Sequence, residues 1–302
     1  MQDIPCNLCG RSDARILYPA TITSQESANQ WTPYRCTNPG YGAHLTIVKC
    51  RHCGLVYVNP RTDSQYILDQ YSAVEDPLYI KERAGRVLTF EHHLIPLHRF
   101  TGPPAGRKLL DVGCYTGVFV EIAKKAGWDA YGLDPSIWAV GVARSSGLQV
   151  KQGTLDSADY PPQYFDVITM WDVIEHLDDP AFNLIQAYEY LKPGGLLVIH
   201  TMDISSLFAR LLGHRWPWYM EMHLYYFSRR TLRSLVEKAG YKVLKVTPQG
   251  RYLRMDYLAS RLEALFPVLA KPVKWLVAAL HLNKLVVPIN LGDLVTLYAQ
   301  KE

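Results

Sequence analysis

The segment LLDVGCYTG, Leu109 to Gly117, constrains this chain more than any other. It reads as a short apolar strand ending in an acidic residue and a glycine-bearing turn, and it runs straight into the helical stretch VFVEIAKKAG. Such a turn brings bare backbone close to a ligand and points a helix N-terminus at it. Asp134 follows 23 positions after Asp111, at the end of a second apolar stretch, DAYGLD. An acidic residue there accepts hydrogen bonds from both hydroxyls of a ribose. The pair of segments implies a nucleoside-containing cofactor.

From Lys108 onward strand and helix alternate. The strand candidates are KLLDVG, DAYGLD, LQVKQGT, FDVITMW, LLVIHT, YKVLKVT and DLVTLYAQ, with four helical stretches between them. This pattern predicts an α/β fold, a Rossmann-like, mainly parallel seven-stranded sheet with helices on both faces. The last run, LGDLVTLYAQK, returns as a sheet strand in this reading. Two stretches interrupt the alternation, at about 203–228 and 251–290. The expected organisation is a small zinc-binding, ribbon-like unit over 1–60, a helical linker or lid over 61–105, and a catalytic domain over 106–302. At 302 residues the prior is about two domains.

The six cysteines argue against a disulfide framework. Cys6, Cys9, Cys50 and Cys53 form two C-x-x-C pairs, and four thiolates suit a closed, structural zinc site. The gap of 40 residues between the pairs is long for a ribbon, and Cys36, His44 and His52 stand as alternative ligands. No signal-like N-terminus and no uncharged run of 18 residues or more is seen, which predicts a cytoplasmic protein. The net charge of +4 is spread thinly, against nucleic acid as a partner.

The pattern D-x-G-x-x-x-G, with Asp111, Gly113 and Gly117, resembles motif I of class I S-adenosylmethionine-dependent methyltransferases, with Tyr115 where their usual form has another glycine. The resemblance continues through YGLDPS, GTLD (Gly153 to Asp156), FDVITMWDVIEHLDDP and LKPGGLLVIHT, in the family's order. It implies S-adenosylmethionine as cofactor, with Asp134 on the ribose and Thr154 and the Leu155 backbone along the adenine. Asp111 and Asp172 then stand near the methionine part and the sulfonium. An acidic residue stands in many relatives where this chain has Thr154. A nicotinamide oxidoreductase fits less well, because the third fingerprint glycine is missing.

Methyl transfer is an in-line displacement, so the protein mainly positions the acceptor and removes a proton where one must leave. The acceptor is expected above the carboxyl ends of the strands, where HRWPWYMEMHLYYFS, His214 to Ser228, follows a strand. Trp216, Trp218, Tyr219, Tyr225 and Tyr226 are candidates to wall an apolar or sugar-like pocket. His223 is the candidate base, on the ground that an unperturbed imidazole titrates near working pH, and Glu221 is the second. HLYYFS is similar to part of a segment in sugar C-methyltransferases that carry an N-terminal zinc-binding domain, although Met222 replaces their glutamate. That similarity implies a sugar or glycan-precursor acceptor and a role in polysaccharide biosynthesis. Tyr71 and Tyr79 are candidates to close over the cofactor or to pack in the core.

A second reading is a lipid-like or polyketide acceptor. The stretch 257–290 carries Trp275, Leu276, Val277, Leu280 and Leu282 with Lys271, Lys274 and Lys284 at its edges, which suits peripheral contact with a membrane face. A third is a degenerate, zinc-dependent binding adaptor, against which the intact Asp111, Gly113, Gly117 and Asp134 set argues.

Overall fold

A computed structural model describes the chain except residues 23–33, 39 and 266, and except the side chains of 262–269. The strands are β1 (Ala14–Tyr18), β2 (Ile47–Cys50), β3 (Val56–Val58), β4 (Lys108–Val112), β5 (Asp129–Asp134), β6 (Gln149–Gln152), β7 (Phe165–Trp171), β8 (Leu191–Met202), β9 (Tyr225–Tyr226), β10 (Tyr241–Pro248), β11 (Arg251–Arg254), β12 (Val286–Ile289) and β13 (Leu294–Lys301). The α-helices are α1 (Ser64–Ala73), α2 (Pro77–Lys81), α3 (Arg83–Thr101), α4 (Val118–Lys125), α5 (Ile137–Ser145), α6 (Pro180–Tyr190), α7 (Leu207–Leu212), α8 (Arg229–Lys238), α9 (Met255–Leu265) and α10 (Pro267–Ala279).

All seven expected strands join one sheet in the order β10-β13-β8-β7-β4-β5-β6. The pairs from β8 to β6 are parallel, and β13 runs antiparallel to both β8 and β10. The last strand of the chain thus slots inside the sheet, as its apolar pattern implies. Strands covered on both faces need near-continuous apolar runs, and Val167, Ile168 and Met170 of β7 are fully buried. Local signals start the helices. Ser136 caps α5 through Ala139 N at 3.1 Å, Asp179 caps α6 ahead of Pro180, and Ser228 with Thr231 forms a capping box on α8.

The first sixty residues are not sealed off from the rest. Their strands form a four-stranded sheet, β1-β2-β3-β9, whose last member comes from the 203–228 insertion. Trp216, Tyr219 and Tyr226 pack there with Ile47, Val56 and Val58, all nearly or fully buried. Each such side chain is worth about 1.5–3 kcal/mol of burial. The seam between the front unit and the insertion is therefore a shared core rather than a touching surface. Asn7 Nδ2 donates to Asp179 Oδ1 at 2.7 Å, and buried Arg61 donates to Tyr225 Oη and the Asp178 carbonyl.

The 61–105 stretch holds three helices, α1, α2 and α3. The 251–290 stretch departs from a purely helical reading. Strands β11 and β12 pair antiparallel and bracket α9 and α10. Part of the apolar run, at 262–269, lies outside the described side chains.

Candidate functional site

The glycine turn hangs on the neighbouring strand. Gly113 N and Cys114 N both donate to the Leu133 carbonyl, at 2.7 and 3.2 Å. Tyr115 N donates to Asp134 Oδ2 at 2.7 Å and Ser136 N to Oδ1 at 2.9 Å. Burial pushes the Asp134 carboxyl up to about 6, against the pull of those two N–H groups. A carboxylate offers about four lone-pair sites, so two remain for ribose hydroxyls. Asp111 lies buried under the turn and accepts from Thr169 Oγ1 at 2.7 Å. Burial, and then Asp134, raise its carboxyl well above the usual range.

The two glycines are needed for a reason beyond the expected one. Both have positive φ, +66° at Gly113 and +75° at Gly117. A Cβ on Gly113 would stand 2.5 Å from Val173 Cγ2, and one on Gly117 would stand 2.6 Å from Leu148 Cδ1. Protein packing therefore already fills the side on which a Cβ would project. Tyr115 adopts φ +48° between them. Its ring packs against Tyr79 at 4.4 Å and Trp138 at 5.9 Å between centroids, and its hydroxyl is buried without a partner among the described residues. After β6, Thr154 N donates to Ser157 Oγ at 3.0 Å, while the Leu155 side chain is buried and its carbonyl receives Tyr190 Oη at 3.2 Å.

A second group forms just past the carboxyl end of β7. Asp172, at φ +56°, holds Arg251 Nη2 at 3.0 and 3.1 Å and lies 3.8 Å from His200 Nε2. Burial would raise its carboxyl, but Arg251 and His200 override that and hold it below the usual range. One donor atom each from Glu175, His176 and His223 lies within 4.8 Å of the others, a set that also has the chemistry to hold a cation. Thr201 Oγ1 donates to Glu175 Oε2 at 2.8 Å, and the Glu175 carbonyl receives Leu224 N and Tyr225 N. Those backbone bonds pin the insertion over the strand end. His223 Nδ1 lies 2.7 Å from the Trp218 carbonyl, and His176 Nδ1 lies 2.9 Å from the Met222 carbonyl and 2.8 Å from Tyr71 Oη. A carbonyl only accepts, so Nδ1 carries the proton and Nε2 the lone pair when each ring is neutral.

The titration differs from the expectation. Burial, reinforced by His176, pushes His223 down to about 3, far from working pH. Burial and the Asp172 charge push Glu175 up to about 8. Glu175, which sequence reasoning passed over although it directly precedes His176, is the group poised near neutrality. Glu221 is half-buried, acts electrostatically on Tyr34 and does not join the Glu175 group among the described residues. The expected aromatic wall is also corrected. Trp216, Tyr219, Tyr225 and Tyr226 are core residues at 0–2% exposure, because they knit the insertion to the front sheet. Trp218 alone of the five is partly exposed, with the Arg251 guanidinium 5.2 Å from its ring. Tyr71 and Tyr79 are packed into the site's floor rather than standing clear of it.

The four front cysteines converge. Cys6 and Cys53 sulfurs lie 3.4 Å apart, Cys9 and Cys50 sulfurs 3.6 Å apart, and all four lie within 4.8 Å. A zinc–sulfur bond of about 2.3 Å implies tetrahedral sulfur–sulfur edges of about 3.8 Å, so the set fits the ion. Cys36, His44 and His52 do not join that group; His44 Nδ1 instead bonds the Leu45 carbonyl at 2.8 Å.

Residues 89–246 match the family model described as a methyltransferase domain. The chain belongs to that family. It is an S-adenosylmethionine-dependent methyltransferase of the class I fold. The ubiquinone biosynthesis O-methyltransferase of Methylococcus capsulatus is 41% identical over 116 residues, 36% of this chain and 48% of that one. The enzyme of the same description from Aliivibrio fischeri is 33% identical over 161 residues, 46% of this chain and 69% of that one. The chain spans about half the length of the first curated relatives it matches. Among solved structures, a methyltransferase from Archaeoglobus fulgidus gives a TM-score of 0.49 at 21% identity, over 75% of this chain and 100% of that chain.

Proposed function

We propose that this methyltransferase O-methylates a lipid-like or lipid-linked acceptor, with Glu175, beside the His223 imidazole, removing the acceptor's proton. The observation that carries the chemistry is the Glu175–His176–His223 group beside Asp172 at the strand end. A hydroxyl must lose its proton as the methyl arrives, and a carboxyl near pKa 8 next to an imidazole lone pair meets that need. The methyl donor lies along the Gly113–Gly117 turn, with Asp134 on its ribose and the Thr154–Leu155 loop along its adenine. Asp172, held ionised beside Arg251, favours the sulfonium side. Zinc on Cys6, Cys9, Cys50 and Cys53 serves structure, because four thiolates leave no open position.

The relatives named for ubiquinone biosynthesis support a lipid-like acceptor over a free sugar. So does the exposed apolar surface of α10 and the turn after it, where Trp275 is 71% exposed and Leu276 and Leu280 are about half exposed. Lys271 and Lys274 border it, a composition suited to an anionic membrane face. Among the described residues no helix is long and apolar enough to cross a membrane. A sugar or glycan precursor remains the second reading, favoured by HLYYFS together with the cysteine pairs, and a lipid-linked glycan joins both.

The test is transfer of labelled methyl from S-adenosylmethionine to panels of polyprenylated hydroxyaromatics, polyprenyl-linked sugars and free sugar nucleotides. Product in the lipid panels is expected. Product only from the free sugar nucleotides would reverse the order of the two readings.

A further inference from the structure

We infer that the acceptor carries a phosphate, or an equivalent oxyanion, held by Arg86, Arg251 and Arg261. This inference rests on the reading of the acceptor end given above and narrows the acceptor's chemistry. The three arginines come from separate elements outside the seven-stranded sheet, α3, β11 and α9. Arg86 and Arg251 lie near Asp172, and Arg261 shares Tyr257 with Arg86 and Tyr41 with Arg251. Arg251 pairs with Asp172 directly. The Arg86 charge is felt at Asp172, Cys36 and Tyr257. Arg261 and Arg251 both act on Tyr41, and Arg261 stands over the rings of Tyr257, at 4.3 Å, and Tyr41, at 5.8 Å.

Taking a guanidinium out of water is costly unless an anion accompanies it. The carboxylates nearby are already engaged. Asp76 holds Thr37 N and Oγ1, and Glu82 and Asp256 pair with Arg254. Among the described residues neither Arg86 nor Arg261 is paired with a carboxylate. Arg261 is 7% exposed, and its bonds go to the Thr37 carbonyl and to Tyr257 Oη, both uncharged. Arg86 lies over the Tyr79 ring at 3.5 Å, and its guanidinium makes no hydrogen bond among the described residues. Among the described residues the buried Nε atoms of Arg86, Arg251 and Arg261 lack a partner.

A purely structural role accounts for part of Arg261, which pins the Thr37 backbone. It does not account for Arg86, whose guanidinium has neither a carboxylate nor a hydrogen-bond partner among the described residues. The planar guanidinium fork matches phosphate, and two such forks without counter-ions among the described residues leave a net positive lining. A carboxylate on the methyl donor's methionine part has the same chemistry, so the experiment must separate the two sources.

The experiment is calorimetric titration of inorganic pyrophosphate into the zinc-loaded chain saturated with S-adenosylhomocysteine. Binding is expected, weakened at least tenfold in Arg86→Gln and in Arg261→Gln, with S-adenosylhomocysteine affinity unchanged. Arg86→Gln keeps the test decisive if loss of the Thr37 contact unfolds Arg261→Gln. Pyrophosphate uptake that persists in Arg86→Gln would mark metal chelation or a site elsewhere and overturn the inference. So would no uptake by the unsubstituted chain. If Arg86→Gln weakens S-adenosylhomocysteine but not 5′-methylthioadenosine, which lacks the amino-acid part, the arginines serve the donor and the inference falls.

Discussion

The two ends of this site are built in opposite ways. At the donor end, one turn of nine residues and the next strand supply nearly everything, and backbone N–H groups fix the carboxylate of Asp134. At the acceptor end, α3, β11, α9, the 203–228 insertion and the loop after β7 each bring a residue or more, and the side chains that meet are ionisable and wholly or partly buried. A local site reads out of a sequence window. A site assembled from five places does not, and its titration follows from burial that no window displays. The difference predicts that the two ends can be damaged separately.

The largest separation is expected from the cysteines. Cys6→Ser or Cys53→Ser removes a thiolate, and metal-linked folding energy in such sites is on the order of 10 kcal/mol. The front sheet shares β9 and a core with the insertion, and the insertion carries His223. Turnover should fall by about a hundredfold or more, with zinc content, by elemental analysis, dropping from one per chain towards none. S-adenosylhomocysteine affinity should change by less than about threefold, since the donor turn is held by β5. Equal loss of both would show that the ends are one unit.

Glu175→Gln should cost about 10²–10⁴ in kcat, the range for a positioned proton acceptor, and leave donor affinity intact. In the unsubstituted enzyme kcat/KM should rise with pH through an apparent pKa near 8, because only the deprotonated carboxylate accepts the proton. Stability moves the other way. The folded chain holds this proton between about 4.5 and 8, where the unfolded chain has lost it, so the contribution is complete below about 4.5 and lost as pH rises through 8. His223, lowered to about 3, acts on the acid side, and its contribution is lost as pH falls below 6.5 through 3. Thermal melts of Glu175→Gln against the parent between pH 5 and 9 check the first sign. A pH-independent difference would remove the assignment.

Asp134→Ala should act on the donor end alone, weakening S-adenosylhomocysteine by roughly tenfold to a hundredfold through loss of charge-assisted bonds. Some of that loss comes from the turn itself, because Tyr115 N and Ser136 N lose their acceptor. Pyrophosphate uptake at the arginines should be unaffected.

How much was legible follows the same division. The seven strands and their helices were readable from period and caps, because β4, β5, β7 and β8 are buried on both faces and say so in apolar runs. Asp111 and Asp134 flank the turn that starts at Gly113. The cysteine pairs met despite the 40-residue gap between them. What was hidden needed the tertiary structure. Arg251 is 79 positions from Asp172, and nothing local to either marks the pair. The aromatics of HRWPWYMEMHLYYFS looked like a pocket lining because sequence alone does not tell a ring facing a ligand from a ring facing another sheet. Glu175 was within reach of sequence reasoning, as the first half of the E-H pair after Trp171. Its shift to about 8 was not, since that arises from burial and the Asp172 charge.

Tyr115→Phe gives the smallest expected effect and the finest test of the donor end. The ring occupies a turn position where glycine is usual, at φ +48°, and a bulky residue there costs about 1 kcal/mol or more of backbone strain. Packing against Tyr79 and Trp138 offsets it, at centroid distances suited to edge contacts. The hydroxyl contributes nothing visible to that balance, since it is buried with no partner among the described residues. Removing only the oxygen keeps the ring and deletes an unsatisfied group whose burial costs roughly 1–3 kcal/mol. The variant should therefore melt at or slightly above the parent, with donor affinity unchanged within about twofold. Tyr115→Gly, which relieves the strain but deletes the ring, should melt lower. If Phe instead weakens S-adenosylhomocysteine by tenfold, the hydroxyl meets the cofactor, and the ring covers the donor rather than merely filling the turn.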